Sequence, residues 1–313
     1  MYLRDSQWIQ ERMRQMELPP DAVQAFLDAE AALAGSGRMP AFKALAAELL
    51  TPPYCTDKGF SVYRERLDAL AAAANVHPQT LYYVLCLYLA EDLYRRCCAA
   101  GQPAQLFDGA MDDLRTKLLE NLEESGIPGT SVPHWFYNFV SEEMVSIGRF
   151  EYKLARMIDP DITLPCGFTV HKDDRVLGLH IPSHRGSLTD AVRSASYREA
   201  WEYFSALWQT DTVVLRCISW LLFPAHYEML PPQSNIVHFM NDFHIYKTRE
   251  PAPDDLYSVF GTDADLPVQE LPEDTVLQRA YKRRLLSGEP IGRGGGLIVL
   301  KDGVNVTNIP GVF

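Results

Sequence analysis

Between Val176 and Phe204 the run VLGLHIPSHRGSLTDAVRSASYREAWEYF places a histidine, an arginine, a glycine and two hydroxyl residues where a short apolar segment gives way to a helical pattern. Val176 to Ile181 reads as a strand and Pro182 ends it, with Ser187 or Thr189 suited to cap the helix that follows. Gly186 permits close backbone approach, Arg185 brings positive charge, and the first N–H groups of the helix point into the same loop. The chemistry such a loop suits is binding of a phosphate or pyrophosphate. One glycine and one arginine equally suit a strand-to-helix turn with nothing bound, so spacing alone leaves both readings open.

Other reactive residues form weaker patterns. The six cysteines, Cys55, Cys86, Cys97, Cys98, Cys166 and Cys217, include no CxxC pair, which points to reduced thiols in a cytosolic core. Cys97 and Cys98 are neighbours on a helix and face different ways, so they do not share a metal. His238, Met240, Asp242 and His244 alternate along NIVHFMNDFHIY and would share one face of a strand, but no second cluster has ligand spacing, so no metal site is expected. Gly292 to Gly296 precedes a strand rather than a helix and reads as a flexible turn or bulge near a ligand. His77 and His134, each beside a proline at a helix start, suit capping and packing, and Tyr82, Tyr83, Tyr88 and Tyr94 suit a core.

The elements that position these residues divide the 313-residue chain in two. Up to about Phe150 the apolar residues recur at helical spacing, with stops at Pro19-Pro20, Pro52-Pro53 and Gly101. The stretch around Leu81 to Leu89 is apolar nearly all round and belongs at the centre of a bundle. After Ile147 the period changes: GRFEYKLARMI, CGFTVHKD, RVLGLHIP, VVLRCISWLLF, NIVHFMNDFHIYKT and GLIVLKD read as strands, and Asp173-Asp174 as a hairpin turn. Helices are expected over 189–207, about 224–230, and 274–286. The fold class is therefore α+β, an all-helical first part and then a mixed sheet in which 189–207 joins neighbouring parallel strands and 176–181 is central. A net charge of −12 argues against general binding to nucleic acid or anionic membranes, and no stretch reaches the ~18 apolar residues of a membrane span. A cytoplasmic protein is the expectation.

The order of elements after Ile147 resembles the GNAT acyltransferase fold. More narrowly, SIGRFEY, LHIPSHRGSLTDAV, CISWLLFP, LPPQSNIVHFMNDF and LPEDTVLQRAYKRRLLSGEPIGRGGG resemble a bacterial family that pairs an N-terminal helical N-acyltransferase domain with a GNAT-like C-terminal domain. The resemblance implies domains at 1–146 and 147–313, an acetyl-CoA or other acyl-CoA co-substrate, and direct transfer of the acyl group to the amine of a small molecule or peptide. It also implies that Ile181, Ser183, His184, Arg185, Gly186, Ser187, Leu188 and Thr189 hold the coenzyme pyrophosphate. The superfamily loop is shortened here to Arg185-Gly186-Ser187, which keeps open a second reading: a module without catalysis that binds an acyl ligand or a protein partner.

Transfer from a thioester to an amine needs a base for the amine proton, donors for the oxyanion and an acid for the thiolate. His180 ends the strand that feeds the loop and is the first candidate for the base, with Glu151 of GRFEY the rival. The resemblance points to Tyr227 as the acid. Val213, Leu215, Cys217 and Ser219 share one face of their strand, so Cys217 reaches His180 for an acyl-enzyme relay if the two strands are neighbours. Each of the four also has a plain packing role open to it.

Overall fold

The computed structural model describes residues 6–51 and 57–313; Pro52-Pro53 and Cys55 lie outside the described residues. The chain forms two compact units that meet in sequence between Ser146 and Ile147. No helix among the described residues is long and apolar enough to cross a membrane.

The first unit is helical: α1 (Ser6–Gln15), α2 (Pro20–Gly35), α3 (Met39–Leu49), α4 (Asp57–Ala74), α5 (Pro78–Ala99), α6 (Ala104–Ser125) and α7 (Pro133–Val140). Helix α5 starts where the His77 Nδ1 accepts the Gln79 N–H at 3.2 Å and Pro78 takes the first turn. Every residue from Leu81 to Ala90 is buried, because the other helices pack around α5. Tyr83 stacks on Phe26 with ring centroids 4.5 Å apart and Tyr88 meets Phe42 edge-on, so the tyrosine row is core. Cys97 is buried and Cys98 exposed, as their adjacency on a helix requires.

The second unit is built on one sheet. In chain order the strands of the sheet are β1 (Met144–Ile147), which spans the boundary, β2 (Phe150–Arg156), β5 (Arg175–His180), β6 (Thr212–Ser219), β7 (His244–Arg249), β8 (Arg293–Lys301) and β9 (Val304–Asn305), with a separate β3–β4 hairpin (Ile162–Thr163 and Thr169–Val170) between β2 and β5. The order across the sheet is β1-β2-β5-β6-β8-β7, with β9 beside β8. Only β5 and β6 are parallel among the paired strands of this path whose registers are resolved, joined by α8 (Asp190–Trp208), and β5 is central as its apolar run implies. Helix α8 covers one face, where Tyr197 stacks on Phe150 at 5.4 Å and the Tyr152 hydroxyl lies 2.9 Å from Ser196 Oγ. The opposite face buries Met157, Val176, Val214, Leu297 and Val299 with Cys166 and Val170 of the β3–β4 region.

Two expectations are corrected here. The segment NIVHFMNDF is helical: α9 (His226–Met229) and α10 (Asn235–Asn241) follow β6, Ser234 Oγ caps α10 by accepting Ile236 N–H at 3.2 Å, and β7 begins only at His244. Val237, Phe239 and Met240 are buried by helical geometry, so the alternation of His238, Met240, Asp242 and His244 does not place them on one strand face. The glycine run is a packed strand, reached after α11 (Tyr257–Phe260) and α12 (Val276–Leu286), and not a flexible turn. A Cβ on Gly294 would stand 2.0 Å from the Leu222 carbonyl oxygen, and one on Gly296 2.9 Å from Phe243. Close approach, not flexibility, selects those glycines.

Candidate active site

The loop between β5 and α8 is shaped from beneath by two buried arginines. Arg149, just before β2, donates from Nη1 to Pro182 O at 2.8 Å and from Nε to Gly186 O at 3.1 Å. Arg193, in the first turn of α8, donates from Nη1 to Leu188 O at 2.5 Å and is itself fixed by Asp242 at 2.6 Å and Asp190 at 2.9 Å. In a trans peptide the N–H lies opposite the preceding carbonyl. Drawing the carbonyls of Pro182, Gly186 and Leu188 inward therefore turns the N–H groups of Ser183, Ser187 and Thr189 outward. Gly186 at φ +77° supplies the left-handed turn this path needs, with open space where a Cβ would stand. The loop thus presents a row of backbone donors at the start of α8, an arrangement that suits an anion.

The side chains of the loop differ in part from expectation. Ser183, His184, Gly186 and Ser187 are exposed and Ile181, Leu188 and Thr189 half-buried. Thr189 occupies the N-cap position of α8 but its side chain makes no cap hydrogen bond. The Arg185 guanidinium turns inward instead of standing on the loop: its side chain is 9% exposed and its Nη2 lies 3.8 Å from Glu151 Oε1. Burial, and after it the positive charge of Arg185, push the Arg149 guanidinium below its ordinary value while Glu151 pulls it up. Beside Glu151 two guanidiniums stand against one carboxylate, whereas Arg193 at the start of α8 is matched by both Asp242 and Asp190, so the excess of positive charge is confined to the Arg149–Arg185 side of the loop.

Glu151 and His180 are brought together. They are register partners in the antiparallel β2–β5 ladder and so project from the same face, the one away from α8. Glu151 is 1% exposed, whereas His180 is half-buried with its Nε2 3.6 Å from the place a Gly178 Cβ would occupy. The imidazole leans back along its own strand over that glycine. The parallel ladder of β5 with β6 holds only Leu177↔Leu215 and Gly178↔Arg216, although β5 runs on to His180 and β6 to Ser219. The ladder thus has no register pair at the end where His180 and the loop lie, and none at Arg175 and Val176.

Cys217 and Tyr227 are not brought to them. Because Gly178 pairs with Arg216, the face that holds His180 holds Arg216, and Cys217 points to the other face. Its thiol is 1% exposed and burial pushes it up to about 12, so no Cys-His relay forms. Tyr227, on α9, is 47% exposed and donates to Asn241 Oδ1 at 3.1 Å. Asn241 ends α10, whose Phe239 packs against Phe150 on the α8 side of the sheet. Burial raises the Tyr227 phenol. The residues that sequence reasoning missed are Arg149 and Arg193, together with Arg216 and its partner Asp159 on the His180 face. The only sequence signal for Arg149 was a charge two residues from Glu151 in the otherwise uncharged run SIGRFEY.

A parallel strand pair joined by a helix-start loop and helix, in a sheet whose other registered pairs are antiparallel and which follows a helical unit in sequence, defines a GNAT-like acyltransferase fold. Two solved structures show the likeness: an acyltransferase in complex with decanoyl-CoA, 22% identical with TM-score 0.72 over 95% of this chain and 88% of that one, and an acyltransferase in complex with decanoyl-CoA and teicoplanin, 18% identical with TM-score 0.71 over 96% and 90%. At these identities the likeness is one of fold. A search of curated proteins returns no match. The model of the N-acyltransferase N-terminal domain matches residues 8–141 and that of the GNAT-like C-terminal domain residues 144–298. The chain belongs to the acyltransferases that join these two domains.

Proposed function

We propose that this chain is an N-acyltransferase that takes its acyl group from an acyl-CoA and passes it directly to the amine of a small-molecule or peptide acceptor in the cytoplasm, with domains at 1–146 and 147–313. The observation that carries the reading is the inward turn of three loop carbonyls onto Arg149 and Arg193, which aims the N–H groups of Ser183, Ser187 and Thr189 outward. Those donors hold the coenzyme pyrophosphate at the start of α8, and the pantetheine arm runs along the carboxyl ends of β5 and β6, beyond their last register pair. The thioester then lies near His180. The fold neighbours bound to decanoyl-CoA favour a medium-chain acyl donor over acetyl-CoA.

In the reaction the amine lone pair attacks the thioester carbonyl while its proton passes to the His180 imidazole. The C–S bond then breaks, the amide forms, and the thiolate takes up a proton as coenzyme A leaves. His180 is preferred to Glu151 because an amine reaches a half-buried imidazole and not a carboxylate that is 1% exposed beside Arg185. Cys217 has no covalent role, and Tyr227 remains the candidate acid only if α9 moves toward the thiolate. Calorimetric titration with decanoyl-CoA tests the reading: binding with release of free coenzyme A on adding an amine supports it. Absence of binding returns the loop to a bare turn and the module to a scaffold role.

A further inference from the structure

The sheet face that carries Glu151 and His180 continues across β6, β8 and β7. Register pairs run Lys153, Gly178, Arg216, Leu297 and His244 in one row, and Ile218, Gly295 and Lys247 in the next. Partners across a ladder share a face. Two glycines lower its floor. Gly178 lies under the His180 ring, and a Cβ on Gly295 would stand 2.8 Å from both Lys247 Cγ and Ile218 Cδ1, so its absence lets side chains from β6 and β7 meet over β8.

Above that floor Asp159 accepts from Lys247 Nζ at 2.5 Å, Tyr246 Oη at 2.7 Å and Arg216 Nη2 at 3.1 Å, and Arg216 Nε donates to Tyr246 Oη at 3.2 Å. Burial raises the Asp159 carboxyl, but the hydrogen bonds from Lys247, Tyr246 and Arg216 outweigh it and hold the group at about 2. One carboxylate balances one of the two cations it touches. Across this part of the face Lys153, Arg185, Arg216 and Lys247 outnumber Glu151 and Asp159, in a chain whose net charge is −12. The Arg216 side chain is 16% exposed and that of Lys247 38%, so both are partly withdrawn from solvent and less screened than open surface charges.

Resting on the N-acyltransferase reading, we propose that Arg216 and Lys247 recognise a carboxylate on the acceptor, so that the substrate class is an amine that also carries an anionic group. Arg216 sits one strand from Gly178, over which the His180 ring leans, and its guanidinium reaches toward Tyr246 and Asp159, so base and cation share one face of the sheet. An acceptor with its carboxylate a few bonds from its amine spans the two. Lys247, the more exposed cation, keeps its hold on Asp159 while its remaining N–H donors meet the ligand.

The test compares glycylglycine with glycylglycinamide, which keeps the amine and removes the carboxylate. Binding of each is measured by calorimetry to the wild-type chain, with and without coenzyme A, and to Lys247→Gln and Lys247→Arg. Glycylglycine is expected to bind about tenfold tighter than its amide, the weight of one charge-assisted hydrogen bond. That advantage should fall below about twofold in Lys247→Gln and persist in Lys247→Arg. Equal binding of the two probes, failure of glycylglycine to bind, or an advantage that survives Lys247→Gln overturns the inference. Coenzyme A titrated into the same proteins separates it from the reading on which it rests. Unchanged coenzyme affinity in Lys247→Gln is expected, weaker affinity would assign the cations to the donor and overturn the proposal, and no coenzyme binding to wild type would sink the parent reading while the preference between probes is still measured.

Discussion

Glu151 and His180 face each other across the β2–β5 ladder, the one 1% exposed and backed by Arg185, the other half-buried beside the open floor at Gly178. Two groups that sequence offers as rivals are thus neighbours with unequal access. Replacing His180 by Ala is expected to lower turnover by ~10² to 10⁴ with donor affinity nearly unchanged, and Glu151→Gln to lower it by less than about tenfold. Steady-state rates with calorimetry decide it; the reverse order of effects makes Glu151 the base.

Arg149 acts through the loop it holds. Arg149→Ala leaves the carbonyls of Pro182 and Gly186 without their buried donor, so a loss of about 2 kcal/mol in unfolding free energy and roughly tenfold weaker coenzyme binding are expected. Urea unfolding and coenzyme titration of the variant check both. A variant as stable as wild type that still binds coenzyme equally would show that the loop keeps its path without the guanidinium.

Cys217 should be inert. A thiol that is 1% exposed and held at about 12 has almost no thiolate at neutral pH, so iodoacetamide is expected to label exposed Cys98 before Cys217, and Cys217→Ala to stay fully active. Peptide mapping after brief labelling reads the order. An acyl adduct on Cys217 in intact mass spectrometry would restore the covalent route.

His226 predicts a pH dependence. Burial lowers its imidazole to about 4 from an ordinary value near 6.5, with Arg284 adding to the fall and a hydrogen bond at Leu221 opposing it. The unfolded chain therefore binds the extra proton between those two values. Stability from this group is full above about pH 6.5 and is lost as pH falls through 4, by roughly 3 kcal/mol in all. Unfolding free energy measured at pH 7 and pH 4 should drop by that much more in wild type than in His226→Gln; equal drops would mean that the folded state protonates His226 freely.

Much of the fold is legible in the sequence because its signals are local. The end of β5 at His180, two residues before Pro182, the left-handed turn at Gly186 and the central helix from His77-Pro78 each rest on a residue's own backbone preference. Segment 235–244 is misread because its short apolar pattern fits both periods, and the deciding cap at Ser234 lies just outside it. The relation of Cys217 to His180 depends on which β6 residue pairs with Gly178, and a shift of one residue would exchange the faces. Arg149 was beyond reach for another reason: the carbonyls it binds are 33 and 37 residues away, and no local pattern records that meeting.

The account stands on coenzyme binding at the loop between β5 and α8, and hydrogen exchange read by mass spectrometry, with and without decanoyl-CoA, tests place and binding together. The expected result is slowed exchange concentrated in peptides covering 182–193, where the outward N–H groups of Ser183, Ser187 and Thr189 meet the pyrophosphate. Unchanged exchange there at saturating decanoyl-CoA, or protection confined to other segments, would contradict it.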